Sequence, residues 1–207
     1  MKRLKVYQFV LVLLLFSGPI LAEERKETTT LLIWGDSLSS AYGMAVEQGW
    51  VSLLQQKLGS NYRIINASVS GETSGGGKSR LSAALLNHKP DVIVLELGGN
   101  DGLRGIPPAA TKKNLEAMIE MARKSSAKVL LLGIKIPPNY GINYIRRFES
   151  IYPELAQKHR VELAPFMLKG IAEDFSLMQN DGIHPTAKAQ PIIVKNVLPA
   201  LQRLLSK

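Results

Sequence analysis

The 207-residue chain contains no cysteine. That excludes disulfides, a thiol nucleophile, a thiolate zinc site and a lipid-modified amino-terminal cysteine. Histidine is almost as scarce, so any imidazole chemistry must use His88, His159 or His184. Aromatic residues are 6% of the chain and do not interleave with its scattered lysines and arginines. A nucleic-acid groove, which needs stacking side chains among its cations, is therefore not expected. No apolar run approaches the roughly 20 residues of a membrane span. The amino-terminal block "VLVLLLF" (10–16) breaks at Ser17, Gly18 and Pro19, so stable membrane insertion is not expected either.

That block has another use. Lys2, Arg3 and Lys5 precede it and "SGPILA" follows it, ending at Ala22. Basic, apolar and small-residue segments in this order form a secretory signal peptide. Residues 1–22 are thus expected to be removed, leaving 23–207 as one domain, periplasmic or secreted. Removal takes away three basic residues and lowers the net charge from +9 to +6, a solvated basic surface.

After a polar start, strand-length apolar runs at 31–34, 63–67, 91–97, 128–136 and 161–165 alternate with helix-period segments. The segments are 49–58, 78–86, 112–124, 144–158 and 187–205. Strands apolar throughout and alternating with helices predict a parallel sheet covered on both faces. No repeat or linker divides the chain. In such a sheet, function gathers in the loops beyond the carboxyl ends of the strands. Those loops read "GDSLSSAYG", "NASVSGETSGGG", "GGNDGLRG" and "PPNYG", with "QNDGIHP" before the last helix.

His88 and His159 sit at helix ends, where a cation complements the helix dipole. His184 differs: it follows Asp181 by three residues in a loop, close enough for a carboxylate to fix its tautomer. Ser37, at a tight turn after the first strand, has the exposure a nucleophile needs, and His184 is the base available to it. A tetrahedral intermediate also needs donors for its oxyanion. Gly71 can offer an unobstructed backbone N–H, and Asn100 a side-chain amide. Leu103, Ile106 and Ile142, on loops near Asn100 and "PPNYG", are candidates to line an acyl groove.

"GDSL", the Gly71 loop, "GGND" and "DGIHP" occur in this order along the chain. Together they resemble the SGNH (GDSL) hydrolases, across the whole of 23–207. "LELGGNDGLRG", "PPNYG" and "DGIHP" followed by "AQP" bring the chain nearest to the periplasmic esterase, thioesterase and lysophospholipase branch. The resemblance implies a flavodoxin-like three-layer α/β/α sandwich with a five-stranded parallel sheet. It implies Ser37 as nucleophile, His184 as base and Asp181 as its partner, with the N–H groups of Ser37 and Gly71 and the Asn100 amide as oxyanion hole. It further implies a monomer with no metal or cofactor, acting on small acyl esters or thioesters, lysophospholipid among them.

Two other readings compete. One keeps the hydrolase chemistry but makes the substrate an acetylated envelope carbohydrate. The other is a non-catalytic flavodoxin-like module whose "SGGGKS" loop cradles phosphate. Against the second, a P-loop needs lysine after its second glycine, and here Gly77 follows Gly76. The run of Gly75, Gly76 and Gly77 is expected to be part of a loop.

Overall fold

The computed structural model describes residues 28–206. The expected signal peptide, 1–22, lies outside the described residues. Strands β1 (Thr29–Gly35), β2 (Tyr62–Asn66), β3 (Val92–Glu96), β4 (Lys128–Leu132) and β5 (Glu162–Ala164) form one sheet. Its order is β2-β1-β3-β4-β5 and every pairing is parallel. From Leu31 in β1, throughout β3 and from Val129 in β4, each residue is buried. Side chains pointing both ways from such strands need cover on both faces. Helices α1 (Trp50–Leu58) and α7 (Gln190–Leu205) pack together on one face. On the other lie α2 (Ser74–His88), α4 (Pro108–Lys124), α5 (Ile142–Glu149) and α6 (Ile151–His159). One short helix, α3 (Gly99–Leu103), follows β3 directly. This is the three-layer, five-stranded sandwich expected.

The connection from β1 runs outward to β2, and the next crosses back over β1 to β3. The order of strand addition therefore reverses at β1 and β3, opening a crevice beyond their carboxyl ends. Asp36 and Ser37 follow β1 there, and Gly99 and Asn100 follow β3.

Three local expectations differ from the structure. The glycine run is helix, not loop: α2 begins at Ser74 and contains Gly75, Gly76 and Gly77. Glycines cost a helix about 1 kcal/mol each against alanine, but tertiary contacts outweigh that here. Thr73 caps the first turn, its hydroxyl accepting from the Gly76 N–H at 3.3 Å. The buried Asp101 carboxylate accepts from the Ser74 N–H at 2.8 Å. Trp34 Nε1 donates to the Gly77 carbonyl at 3.3 Å. A Cβ on Gly77 would overlap Leu97, so the helix lies this close to the sheet only with glycine there. The single helix expected over 144–158 is two, parted at Ser150. Pro153 has no N–H to continue the first ladder, and is tolerated in the first turn of α6, where that donor is not needed. The apolar run 128–136 leaves the sheet after Leu132, and Gly133, next in the chain, lies so close to the Pro165 backbone that a side chain would not fit.

The glycine run yields a paired test by thermal melting. Gly77→Ala should destabilise by about 1–3 kcal/mol through overpacking against Leu97 and Trp34. Gly75→Ala, whose Cβ would meet Asn114 and Thr73 at ordinary distances of 3.7 and 3.8 Å, should be neutral or stabilise by up to about 1 kcal/mol.

Candidate active site

The turn carrying Ser37 is held from both neighbouring strands. Gly35 ends β1 where a side chain could not fit: its Cβ would sit 2.5 Å from Glu96 Oε2 and 2.9 Å from Ser39 Oγ. Glu96, the last residue of β3, accepts from the Asp36 N–H at 3.1 Å and from the Ser39 hydroxyl at 2.7 Å. From β2, Asn66 Nδ2 donates to the Ser39 carbonyl at 2.7 Å. Inside the turn, the N–H groups of Ser39 and Ser40 return to the Asp36 carbonyl. The Asp36 carboxylate braces the same turn, accepting from the Leu38 N–H at 3.0 Å and from Asn100 Nδ2 at 3.0 Å. Burial pushes Asp36 up to about 6, against the lowering effect of those two donors and of His184.

The loop between β5 and α7 brings an imidazole to that turn. Asp181 Oδ1 accepts from the N–H groups of Ile183 and His184, at 2.9 and 3.0 Å, which folds the loop back on itself. Asp181 Oδ2 then lies 2.6 Å from His184 Nδ1, and His184 Nε2 lies 2.8 Å from Ser37 Oγ. An ionised carboxylate only accepts, so Nδ1 carries the proton and Nε2 is left to accept from the Ser37 hydroxyl. Partial burial of Asp181 favours its neutral form. The His184 N–H, the His184 ring and the Ile183 N–H outweigh it and lower the carboxyl to about 2. The support Asp181 lends the loop is thus complete above the ordinary carboxylate value of ~3.9. It is lost as pH falls through about 2. The Tyr42 ring lies beside the imidazole, with centroids 4.3 Å apart. Gln179 Nε2 donates to the carbonyls of Tyr42 and Pro185, joining the histidine loop to the serine turn.

The candidate oxyanion donors gather on the same side. Ser37, Gly71 and Asn100 all line one cavity of about 660 Å³. The N–H groups of Ser37 and Gly71 make no hydrogen bond to any described residue. Gly71 has φ +78°, the left-handed region that favours glycine, and its carbonyl accepts from Arg104 Nη2 at 2.9 Å. Asn100 is more occupied: its amide donates to Asp36 Oδ2 and to the Glu72 carbonyl, both at 3.0 Å. In the resting site it ties three loops together.

Of the apolar residues expected in a groove, Leu103 lines the cavity. Ile106 and Ile142 are not among its lining residues. The Ile106 carbonyl instead accepts from the Tyr144 hydroxyl, and Ile142 opens α5 with 59% of its surface exposed. The apolar wall comes from residues not expected to line it, chiefly Ile134, Ile136, Phe166, Leu168 and Met178. Glu96, Gln179 and Arg104 were likewise not singled out. Only Glu96 carried a signal, an acid closing an otherwise apolar strand. His159 serves a different place: its Nε2 meets Glu116 Oε1 at 2.6 Å, between α6 and α4. Glu120 lies near enough for the three to form a cation-sized group. The Lys158 ammonium already pairs with that same Glu116 oxygen.

Known proteins resemble this chain in sequence and fold. The family model for the GDSL-like lipase/acylhydrolase family matches residues 33–191. Esterase TesA of Pseudomonas aeruginosa is 49% identical over 189 residues, covering 90% of this chain and 94% of the relative. Thioesterase 1/protease 1/lysophospholipase L1 of Escherichia coli K12 is 43% identical over 177 residues, covering 86% and 85%. The psychrotrophic esterase EstA from a Pseudoalteromonas species, solved as a monoethylphosphonate-inhibited form, superposes with a TM-score of 0.82 at 42% identity, covering 86% of this chain and 100% of that one. With the family's model matched over most of its length and these relatives aligned nearly end to end, the chain belongs to the GDSL-like lipase/acylhydrolase family.

Proposed function

We propose that the chain is a serine hydrolase of carboxylic esters and thioesters in which Ser37 is acylated during turnover. The observation that carries this reading is the relay from Asp181 Oδ2 through both His184 nitrogens to Ser37 Oγ, with contacts of 2.6 and 2.8 Å. His184 Nε2 takes the hydroxyl proton as Ser37 Oγ attacks the acyl carbonyl. The carbonyl oxygen becomes an oxyanion and meets the uncommitted N–H groups of Ser37 and Gly71. The Asn100 amide turns toward it by sharing a proton now given to Asp36 or Glu72. The imidazolium, stabilised by Asp181, returns its proton to the leaving alkoxide or thiolate, and the acyl-enzyme remains. Water then attacks with His184 again as base, releasing the acid and restoring Ser37.

The cavity supports an acyl group longer than acetyl. Ile134, Ile136, Phe166 and Leu168 give it an apolar wall, and about 660 Å³ exceeds what two carbons need. An acetylated carbohydrate would leave most of that wall unfilled. The substrate classes in the relatives' names, esters, thioesters and lysophospholipids, all present an acyl chain to such a wall. The phosphate-cradle reading loses its basis, because the "SGGGKS" segment is helix. We assign export of the chain to residues 1–22, on the order of basic, apolar and small residues. Among the described residues no helix is long and apolar enough to cross a membrane.

Three outcomes follow. A fluorophosphonate should add its mass to the Ser37 peptide alone, and Ser37→Ala should abolish labelling and hydrolysis. Labelling at Ser70 or Ser40 instead would move the nucleophile. Asn100→Ala should lower kcat by about 10²–10³ with KM little changed, the cost of one oxyanion donor. Since Asn100 also satisfies Asp36 and Glu72, kcat, KM and melting temperature must be read on the same preparation; normal turnover in a folded variant removes Asn100 from the oxyanion hole. Amino-terminal sequencing of the exported protein should begin at or near Glu23, and a soluble cytoplasmic form still starting at Met1 would refute the leader.

A further inference from the structure

Directly beneath the nucleophile turn lies a carboxyl group that the ester chemistry does not use. Glu96 closes β3 with none of its surface exposed. Its Oε2 accepts from the Asp36 N–H and the Ser39 hydroxyl, residues on either side of Ser37. Its Oε1 has no hydrogen-bond partner among the described residues. The ionisable groups around it are the Asp36 carboxyl from the end of β1, the Tyr152 hydroxyl from α6 and, one step further, Asp101 from α3. The Tyr152 hydroxyl donates to the Leu97 carbonyl. Among the described residues no lysine or arginine pairs with Glu96. Gly35 is what lets the carboxyl come this close to the turn.

We propose that Glu96 is the positioning residue of the nucleophile, tying the chain before and after Ser37 to the end of β3 and so aiming the Ser37 hydroxyl at His184. The inference rests on Ser37 being the nucleophile. A two-point tie suits this task because, among the described residues, the Ser37 side chain has no anchor other than His184. Displacing a reacting atom by about 1 Å can cost on the order of 10²-fold in rate. The tie is built from an uncharged acid. Burial first, and the neighbouring Asp36 second, hold the Glu96 carboxyl well above its ordinary value of 4.5. A second buried negative charge beside Asp36, with one oxygen unpartnered, would push the turn off β3.

The sign of the accompanying stability effect follows from linkage. The folded chain keeps a proton on Glu96 that the unfolded chain releases above about 4.5. This group's contribution is therefore complete below that pH and is lost as pH rises toward its folded value.

The test compares Glu96→Gln, Glu96→Leu and Ser39→Ala with the parent. It measures kcat and KM on p-nitrophenyl butyrate, the rate of fluorophosphonate labelling at Ser37, and melting temperature from pH 5 to 10. Glu96→Leu removes the acceptor and Ser39→Ala removes one tether. Each should slow turnover and labelling by about 10–100-fold, with KM within about twofold. Glu96→Gln keeps an acceptor oxygen and should restore kcat to within about threefold of the parent. Its melting temperature should gain on the parent's as pH rises, since it has no proton to lose. Parental kcat and labelling in Ser39→Ala, or in a folded Glu96→Leu, would overturn the proposal. So would a Glu96→Gln variant as slow as Glu96→Leu. If Glu96→Leu fails to fold, Ser39→Ala decides alone, because Asn66 still holds that turn. A parent that hydrolyses the ester but is not labelled at Ser37 would overturn the nucleophile assignment; labelling that is normal in parent and variants overturns only the role of Glu96.

Discussion

Asp36 is where the strands, the turn and the oxyanion side meet. Its carboxylate accepts from the Leu38 N–H within the turn and from the Asn100 amide across the β1–β3 crevice. Its own N–H is held by Glu96. Nearly complete burial makes this an expensive place for charge, and the expense limits what the surroundings can be. Both oxygens must be supplied with donors, so Asn100 must point its amide this way. Glu96 beside it does best uncharged. A parallel sheet whose order of strand addition reverses at β1 and β3 brings these groups together at one edge.

The histidine loop is organised on a different principle. Asp181 sits near the surface, and its charge is held by backbone N–H groups as well as by the imidazole. One carboxylate is thus buried and pushed up to about 6, and the other is well supplied with donors and lowered to about 2. Two acids on either side of Ser37 and His184 are tuned in opposite directions by environment alone. Asp36 shapes the turn, while Asp181 orients the ring.

Much of this was legible in the residues. Apolar runs between helical segments implied the parallel sheet, and "GDSL", "GGND" and "DGIHP" marked the loops that the structure brings together. What stayed hidden depends on contacts distant in sequence. Glycine-rich residues 75–77 read as loop by local propensity, whereas Asp101 and Trp34, from other elements, make them helix. Ile106 and Ile142 looked like groove residues because of their loops; nothing local revealed that the wall would come from Ile134 and Phe166. Pro153 could have divided the long helix on local grounds, and that signal was present but outweighed by the apolar period. Gln179 was invisible because its role is to reach the Tyr42 carbonyl, 137 residues away.

That separation has a kinetic meaning. Ser37 and His184 are 147 residues apart, and the Trp50 N–H donates to Gln190 Oε1 across a separation of 140 residues. Contacts spanning so much chain carry a large loop-closure entropy and come with slow, topology-limited folding. Under the proposed triad, a partly folded chain with β1, β3 and their turns in place has a serine without a base. Recovery of turnover during refolding would then serve as a clock for the docking of the segment that carries His184.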